Sequence, residues 1–242
     1  MISIKNEAIF IADAHYQKGV REELYNLLSS IKSKKIKTTQ LIFMGDIFDL
    51  LVGSINYTIK QNLKIIDLIN KISKDIEIIY FEGNHDFNLK KIFPNIKIIP
   101  YKDQPTTVKF FDKTIAISHG DSFNSIKYNF YTAIIRSKIA LLLLNMIDNL
   151  FKNSISKKIL KKQKNKNLCK KSKYIQNISK QKFKIYDITL KEFDLILEGH
   201  YHEDMEFVYG KRVYKFLPSF ACQKVATQIF FKEEIVFNQI KG

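Results

Sequence analysis

Three brief, largely apolar runs, residues 8–12, 41–44 and 76–81, alternate with two segments of helical period, 20–36 and 57–72. Such runs suit strands buried on both faces, and the segments between them carry apolar stripes such as Leu24, Leu27, Leu28 and Ile31. This β-α-β rhythm predicts an α/β protein. Residues 98–118 read as strands joined by turns, with Pro100 and Pro105 as punctuation. One or two helices are expected over 125–150, with a stripe of Phe130, Ile134, Ile135, Leu141 and Leu144, and more helix around 171–187. Strands return at 195–197, 205–209, 213–217 and 227–231, Gly210 marking a hairpin. The expectation is one domain over residues 1–242, interrupted at 122–186 by a helical, Lys-rich insertion.

With 242 residues, 45% hydrophobic, and only 8 Gly and 4 Pro, the chain is neither disordered nor fibrous. No run of about 18 apolar residues is present to span a bilayer. The first residues lack a basic, apolar and small-residue leader, so the expected address is the cytoplasm. Cys169 and Cys222 make neither a disulfide framework nor a thiolate metal motif, and are expected to be free thiols. The net charge of +16 is concentrated: residues 149–186 hold 13 Lys and no Asp or Glu. Two readings follow, a solvated face in a chain that prefers Lys to Arg, or a surface for phosphates or acidic lipid.

The five histidines all lie in short polar clusters. His15 follows Asp13; Asp46 and Asp49 form Gly45-Asp46-Ile47-Phe48-Asp49; His85 sits in Gly83-Asn84-His85-Asp86; His119 precedes Gly120-Asp121; and His200 and His202 form Gly199-His200-Tyr201-His202. Each cluster follows an apolar run, which puts it on a loop at a strand end, where open α/β sheets build their sites. One such cluster carries little weight, but five that use every histidine point to a metal site. Asp13, His15, Asp46, Asn84, His119, His200 and His202 offer seven oxygen or nitrogen donors and no sulfur. That set is enough for two divalent cations sharing a carboxylate, and admits Mn, Fe, Zn or Co.

The ordered series D-x-H, G-D-x-x-D, G-N-H-D, H-G-D and G-H-x-H resembles the calcineurin-like metallophosphoesterase superfamily over nearly the whole chain. The resemblance implies a four-layer α/β sandwich, two β-sheets flanked by helices, here with an inserted helical cap. Carried over by position, it implies that Asp13, His15 and His202 bind one metal, that Asn84, His119 and His200 bind the other, and that Asp46 bridges them. His85 would stabilise charge or donate a proton at the leaving oxygen, with Asp86 orienting its ring; Asp49 and Asp121 would support the ligands from behind.

Within the superfamily, the length of the chain and the helical insertion between H-G-D and G-H-x-H resemble the UDP-2,3-diacylglucosamine pyrophosphohydrolases of lipid A synthesis. This chain has His85 where those proteins carry Arg. The subfamily implies two Mn²⁺ ions, an acylated nucleotide sugar as substrate, and loose attachment to the cytoplasmic face of the inner membrane. Asn84, His85 and His200 would touch the substrate, and Lys170, Lys171 and Lys173 are the expected phosphate contacts. The apolar stripe is expected to pack the insertion onto the core. The rival readings are a phosphoesterase acting on nucleic acid or a soluble nucleotide, and a non-enzymatic scaffold of the same fold.

Overall fold

The computed structural model describes residues 2–123, 126–190 and 192–242. The chain runs through β1 (Ile2–Ser3), β2 (Ile9–Ile11), α1 (Glu23–Lys32), β3 (Gln40–Phe43), β4 (Leu51–Val52), α2 (Asn56–Ile72), β5 (Glu77–Phe81), β6 (Asp86–Phe87), β7 (Lys97–Ile99), β8 (Thr106–Phe110) and β9 (Lys113–Ser118). Four helices follow: α3 (Ile126–Ile135), α4 (Lys138–Leu150), α5 (Ser154–Lys164) and α6 (Ile175–Leu190). The chain closes with β10 (Leu195–Glu198), β11 (Met205–Tyr209), β12 (Arg212–Phe216), α7 (Phe220–Gln223), β13 (Val225–Phe231) and β14 (Ile235–Lys241). Ser125, where the sequence places the start of the insertion's first helix, lies outside the described residues.

Two six-stranded sheets form, ordered β14-β13-β2-β3-β5-β7 and β1-β8-β9-β10-β12-β11, with β4 and β6 as a small parallel pair. The apolar runs serve both faces of a strand. On β2 and β3, Ile9, Ile11, Leu41 and Phe43 pack toward α1 and α2 with Leu24, Leu28, Ile65 and Ile69. Their neighbours Phe10 and Ile42 point the other way, into a core shared with Ile115, Ile117, Leu195 and Leu197 of the second sheet. The outer face of that sheet, with Ala116, Ile196, Tyr214 and Phe216, is covered by Ile175 and Tyr186 of α6. Helices, sheet, sheet and helix make four layers, and burial on both faces is why these strands lack polar alternation.

Helix α6 is therefore the fourth layer of the sandwich, which leaves α3–α5 and the 165–174 loop as the part that projects. The projecting part meets the body through Leu141 and Ile135, packed on Val52, Ile55 and Phe87. Of the expected stripe, only these two residues pack in this way: Phe130, Ile134 and Leu144 are exposed, as are Ile139, Leu142, Leu143, Met146, Ile147 and Leu150. The expectation that the stripe packs the insertion onto the core is corrected accordingly. Helices α3 and α4 are bent by 60° at their junction, and among the described residues no single helix is long and apolar enough to cross a membrane.

The two cysteines are bonded to each other, with Cα atoms 5.5 Å apart across a sequence separation of 53. This overturns the expectation of free thiols. Cys169 is on the 165–174 loop and Cys222 in α7, and only the fold brings these stretches together.

Candidate metal centre

All five polar clusters follow the C-terminal ends of strands. Asp13 and His15 follow β2, Asp46 and Asp49 follow β3, and Asn84, His85 and Asp86 follow β5, three strands that are parallel neighbours. His119 follows β9, and His200 and His202 follow β10, a second parallel pair. The two sheets are stitched at this edge. The Gly199 amide donates to the His119 carbonyl at 2.9 Å, and the His200 amide to Asp13 Oδ2 at 2.8 Å. Asp13, His15, Asp46, His200 and His202 all have positive φ, between 44° and 67°. A left-handed backbone at a non-glycine residue costs roughly 1 kcal/mol or more, and five together mark a site where geometry is bought with strain. The motif glycines have a spatial reason too. A side chain at Gly45 would strike the His119 ring, and one at Gly83 would strike the Asp46 carboxylate.

The donors fall into overlapping groups: Asp13, His15 and His202; His15, Asp46 and His85; Asp46, His119 and His200. Within each, one donor atom per residue lies within 4.8 Å of the others. Four imidazoles turn Nδ1 to an oxygen. His85 faces the Asp49 carbonyl at 2.9 Å, His119 the Met44 carbonyl at 2.9 Å, His202 the Leu168 carbonyl at 2.6 Å, and His15 lies 3.3 Å from Asp49 Oδ1. With the proton on Nδ1, each ring presents the Nε2 lone pair to the cleft. His15 Nε2 then faces His202 Nε2 at 3.3 Å, and His119 Nε2 faces His200 Nδ1 at 3.2 Å and Asn84 Oδ1 at 3.3 Å. Opposed lone pairs repel, and a cation between them removes the conflict. Asp13 Oδ1 is buried with no hydrogen-bond partner, 3.5 Å from His202 Nε2. The donors thus fit divalent cations of the Mn, Fe, Zn or Co type.

The electrostatics agree. Burial alone would raise the Asp46 carboxyl, but the surrounding His85, His119 and His15 hold it well below the usual carboxylate range. Burial opposes charge on His119, yet Asp46, Asp121 and Asp13 keep it up at about 9. Next to it, burial and the His119 charge push His200 down to about 4. Without a cation, a proton on His119 Nε2 relieves the conflict with the His200 Nδ1 lone pair, and a bound cation would take its place.

The sequence model of the family described as calcineurin-like phosphoesterase matches residues 8–204, which include every one of these clusters. The chain belongs to the calcineurin-like phosphoesterase family. A UDP-2,3-diacylglucosamine hydrolase of Wigglesworthia glossinidia brevipalpis is 25% identical over 214 residues, 86% of this chain and 84% of that protein. One of Coxiella burnetii is 23% identical over 120 residues, 50% of this chain. In that match the chain spans about half the length of the relative, 49%. Among solved structures, a Thermotoga maritima protein aligns with a TM-score of 0.48 at 15% identity, covering 98% of this chain and all of that one.

In this member of the phosphoesterase family a cavity of about 280 Å³ is lined by His15, Asp46, Asn84, His85, His200 and His202, and by Lys166, Asn167, Leu168 and Lys170 of the 165–174 loop. Of the three expected phosphate contacts, Lys170 lies in that lining and Lys171 and Lys173 do not. Asp86 does not orient His85. Its carboxylate accepts the amides of Asp46 (3.0 Å), Ile47 (2.6 Å), Phe48 (3.2 Å) and Gly83 (2.9 Å) and the Tyr80 hydroxyl (2.7 Å), so it shapes the loop that carries Asp46. The ring of His85 is set instead by the Asp49 carbonyl.

Three supporting residues escaped the sequence reading. Arg21 pairs with Asp49 and donates to the His15 carbonyl at 2.8 Å. Arg136, at the end of α3, donates to the Gly83 carbonyl at 2.8 Å and stacks between Phe87 and Tyr101. Lys182 of α6, buried among the Lys of the insertion, binds the Gly120 carbonyl at 2.6 Å and Glu198 at 2.7 Å. The two arginines carried a signal, since the chain has only Arg21, Arg136 and Arg212 among 40 cationic residues. A chain that otherwise uses Lys keeps Arg where a planar fork is needed.

Proposed function

We propose that this chain is a dinuclear-metal hydrolase of a pyrophosphate bond, acting on UDP-2,3-diacylglucosamine to release UMP and 2,3-diacylglucosamine 1-phosphate in lipid A biosynthesis. The observation that carries the reaction class is the convergence of seven nitrogen and oxygen donors at the C-terminal ends of strands from both sheets. The names of the relatives support the substrate. Asp13, His15 and His202 would hold one cation, Asn84, His119 and His200 the other, with Asp46 between them. Two divalent cations, Mn²⁺ in this reading, supply Lewis acidity toward the phosphoryl group and the attacking water.

The chain supplies the rest. His85, its ring fixed by the Asp49 carbonyl and its Nε2 3.8 Å from Asp46 Oδ2, would give a proton to the leaving phosphate oxygen. Asn84, His200, Lys166 and Lys170 line one cavity, where the first two would meet the reacting phosphate and the two lysines would neutralise the second one. The exposed apolar face of α3 and α4 lies beside a cationic α5, with Lys157, Lys158, Lys161 and Lys162 all exposed. That pairing supports docking on an anionic lipid surface, the cytoplasmic face of the inner membrane.

Incubation with Mn²⁺ and a panel of UDP-2,3-diacylglucosamine, UDP-glucose, a dinucleotide and single-stranded RNA tests the reading. Cleavage confined to the acylated nucleotide sugar is expected. Preference for RNA would make the protein a nucleic-acid phosphoesterase, and absence of both turnover and bound metal would make it a scaffold.

A further inference from the structure

We propose that the Cys169–Cys222 disulfide is a reversible clamp that fixes the 165–174 loop over the metal-site cavity and couples the site to thiol redox state. Each cysteine is next to a part of the site. Cys169 follows Leu168, whose carbonyl accepts His202 Nδ1 at 2.6 Å and so sets the face that His202 turns to the cleft. Cys222 lies in α7, where the Ala221 amide (3.1 Å) and the Ser219 hydroxyl (3.0 Å) both donate to the Asp13 carbonyl. The bridge therefore joins the acceptor that orients His202 to the turn that backs Asp13, two members of one three-donor group.

The loop has little else to hold it. Lys166, Asn167, Cys169, Lys170, Lys171, Lys173 and Tyr174 are exposed, and its four Lys repel one another with no acid in the segment. Besides the bridge, its anchors to the body among the described residues are the buried Leu168 side chain, the 2.6 Å contact of the Leu168 carbonyl with His202 Nδ1, and a 2.8 Å hydrogen bond from the Ser172 amide to Glu203. The bridge is also reachable, because Cys169 is exposed and Cys222 only half-buried. A dithiol reductant would open it in two steps. One of its thiolates attacks a bridge sulfur to form a mixed disulfide, and its second thiolate then displaces the protein thiol. Two electrons and two protons end on Cys169 and Cys222, and the reductant leaves as a disulfide.

The consequence for metal binding rests on the proposed metal-site reading, while the clamp itself does not. The test compares the full chain oxidised and dithiothreitol-reduced, with Cys169→Ser and Cys222→Ser alongside. Thiol alkylation with intact mass reads the bridge, amide exchange over residues 166–172 reads the loop, and Mn²⁺ titration reads the site. Oxidised protein should hide both thiols, and its loop should exchange about tenfold more slowly. It should also bind Mn²⁺ about tenfold or more tightly than the reduced form, the scale seen when a ligand's outer partner is lost. Both variants should match reduced protein and ignore redox state, with melting curves reporting that they fold. Two free thiols in the oxidised sample, or equal exchange in the two forms, would overturn the clamp. Slower exchange in the oxidised form with equal Mn²⁺ affinity in both would overturn its coupling to the site. Failure of both forms to bind Mn²⁺ would instead sink the metal-site reading and leave the clamp to be judged by exchange.

Discussion

The strand-end loops and the inserted helices treat their side chains in opposite ways. In the loops, His15, His85, His119 and His202 each have Nδ1 facing an oxygen, and Asp86 alone gathers four amides and a hydroxyl. In α4, by contrast, Ile139 is 76% exposed and Leu150 79%, although nearby Leu141 is buried. The loops spend backbone strain to hold donors in one arrangement; the helices leave apolar surface uncovered. A fixed cluster of donors suits chemistry on a small group, and an uncovered apolar face suits contact with something large and soft.

The comparison is broken most severely by removing the shared carboxylate. Asp46→Ala should lower turnover by on the order of 10³-fold or more, the cost of losing a main electrostatic element of a site. Bound metal, read by elemental analysis, should fall with it, while circular dichroism stays unchanged because Asp46 belongs to none of the hydrophobic clusters and its side chain accepts, among the described residues, only the His85 amide. Retained activity would remove Asp46 from the centre of the proposal.

Next in size is Lys182→Met. Lys182 and Glu198 form a buried pair, and the Ser118, Tyr186 and Tyr214 hydroxyls crowd the same carboxylate. Leaving Glu198 buried without its cation should cost about 3–5 kcal/mol in urea unfolding. The pH dependence has a definite sign. Burial would raise the Glu198 carboxyl, but Lys182 and the hydrogen bonds hold it below its ordinary value of 4.5. Its contribution is therefore complete above about pH 4.5 and is lost as pH falls through the depressed folded value. In the variant, acid should instead narrow the gap to the parent, because protonating Glu198 removes the unpaired charge.

Lys182 also marks what could be read from the sequence and what could not. The sandwich was legible because its strands are short apolar runs in β-α-β order, and the donors because each run ends in a polar cluster, four of the five with a Gly where a Cβ would strike a neighbouring loop of the site. Nothing distinguishes Lys182 from Lys180 or Lys184 along the chain. Its burial depends on α6 lying across β9, β10 and β12, a tertiary fact. The role given to Asp86 failed for a related reason. Sequence adjacency to His85 suggested contact, but the carboxylate turns back into the Asp46 loop. The disulfide was illegible because a separation of 53 residues says nothing of proximity. The outward stripe was missed because helical period gives a face and not what covers it.

The smallest effects are expected where the two regions differ most. Leu141→Ala, which removes a buried contact with Val52, Ile55 and Phe87, should destabilise by about 2–3 kcal/mol. Ile139→Ser, Leu142→Ser and Leu150→Ser, on the exposed side of the same helix, should each change unfolding free energy by no more than about 0.5 kcal/mol. If that face meets lipid, the triple variant should lose sedimentation with vesicles containing phosphatidylglycerol while its melting temperature falls by no more than about 6 °C. It should also bind Mn²⁺ with the parental affinity, since none of the three lines the metal cavity. A triple variant that melts about 10 °C or more lower, beyond what three exposed substitutions allow, would mean that the face is packed against something in the isolated protein, most simply a second copy, and the contrast between loops and helices would have to be redrawn.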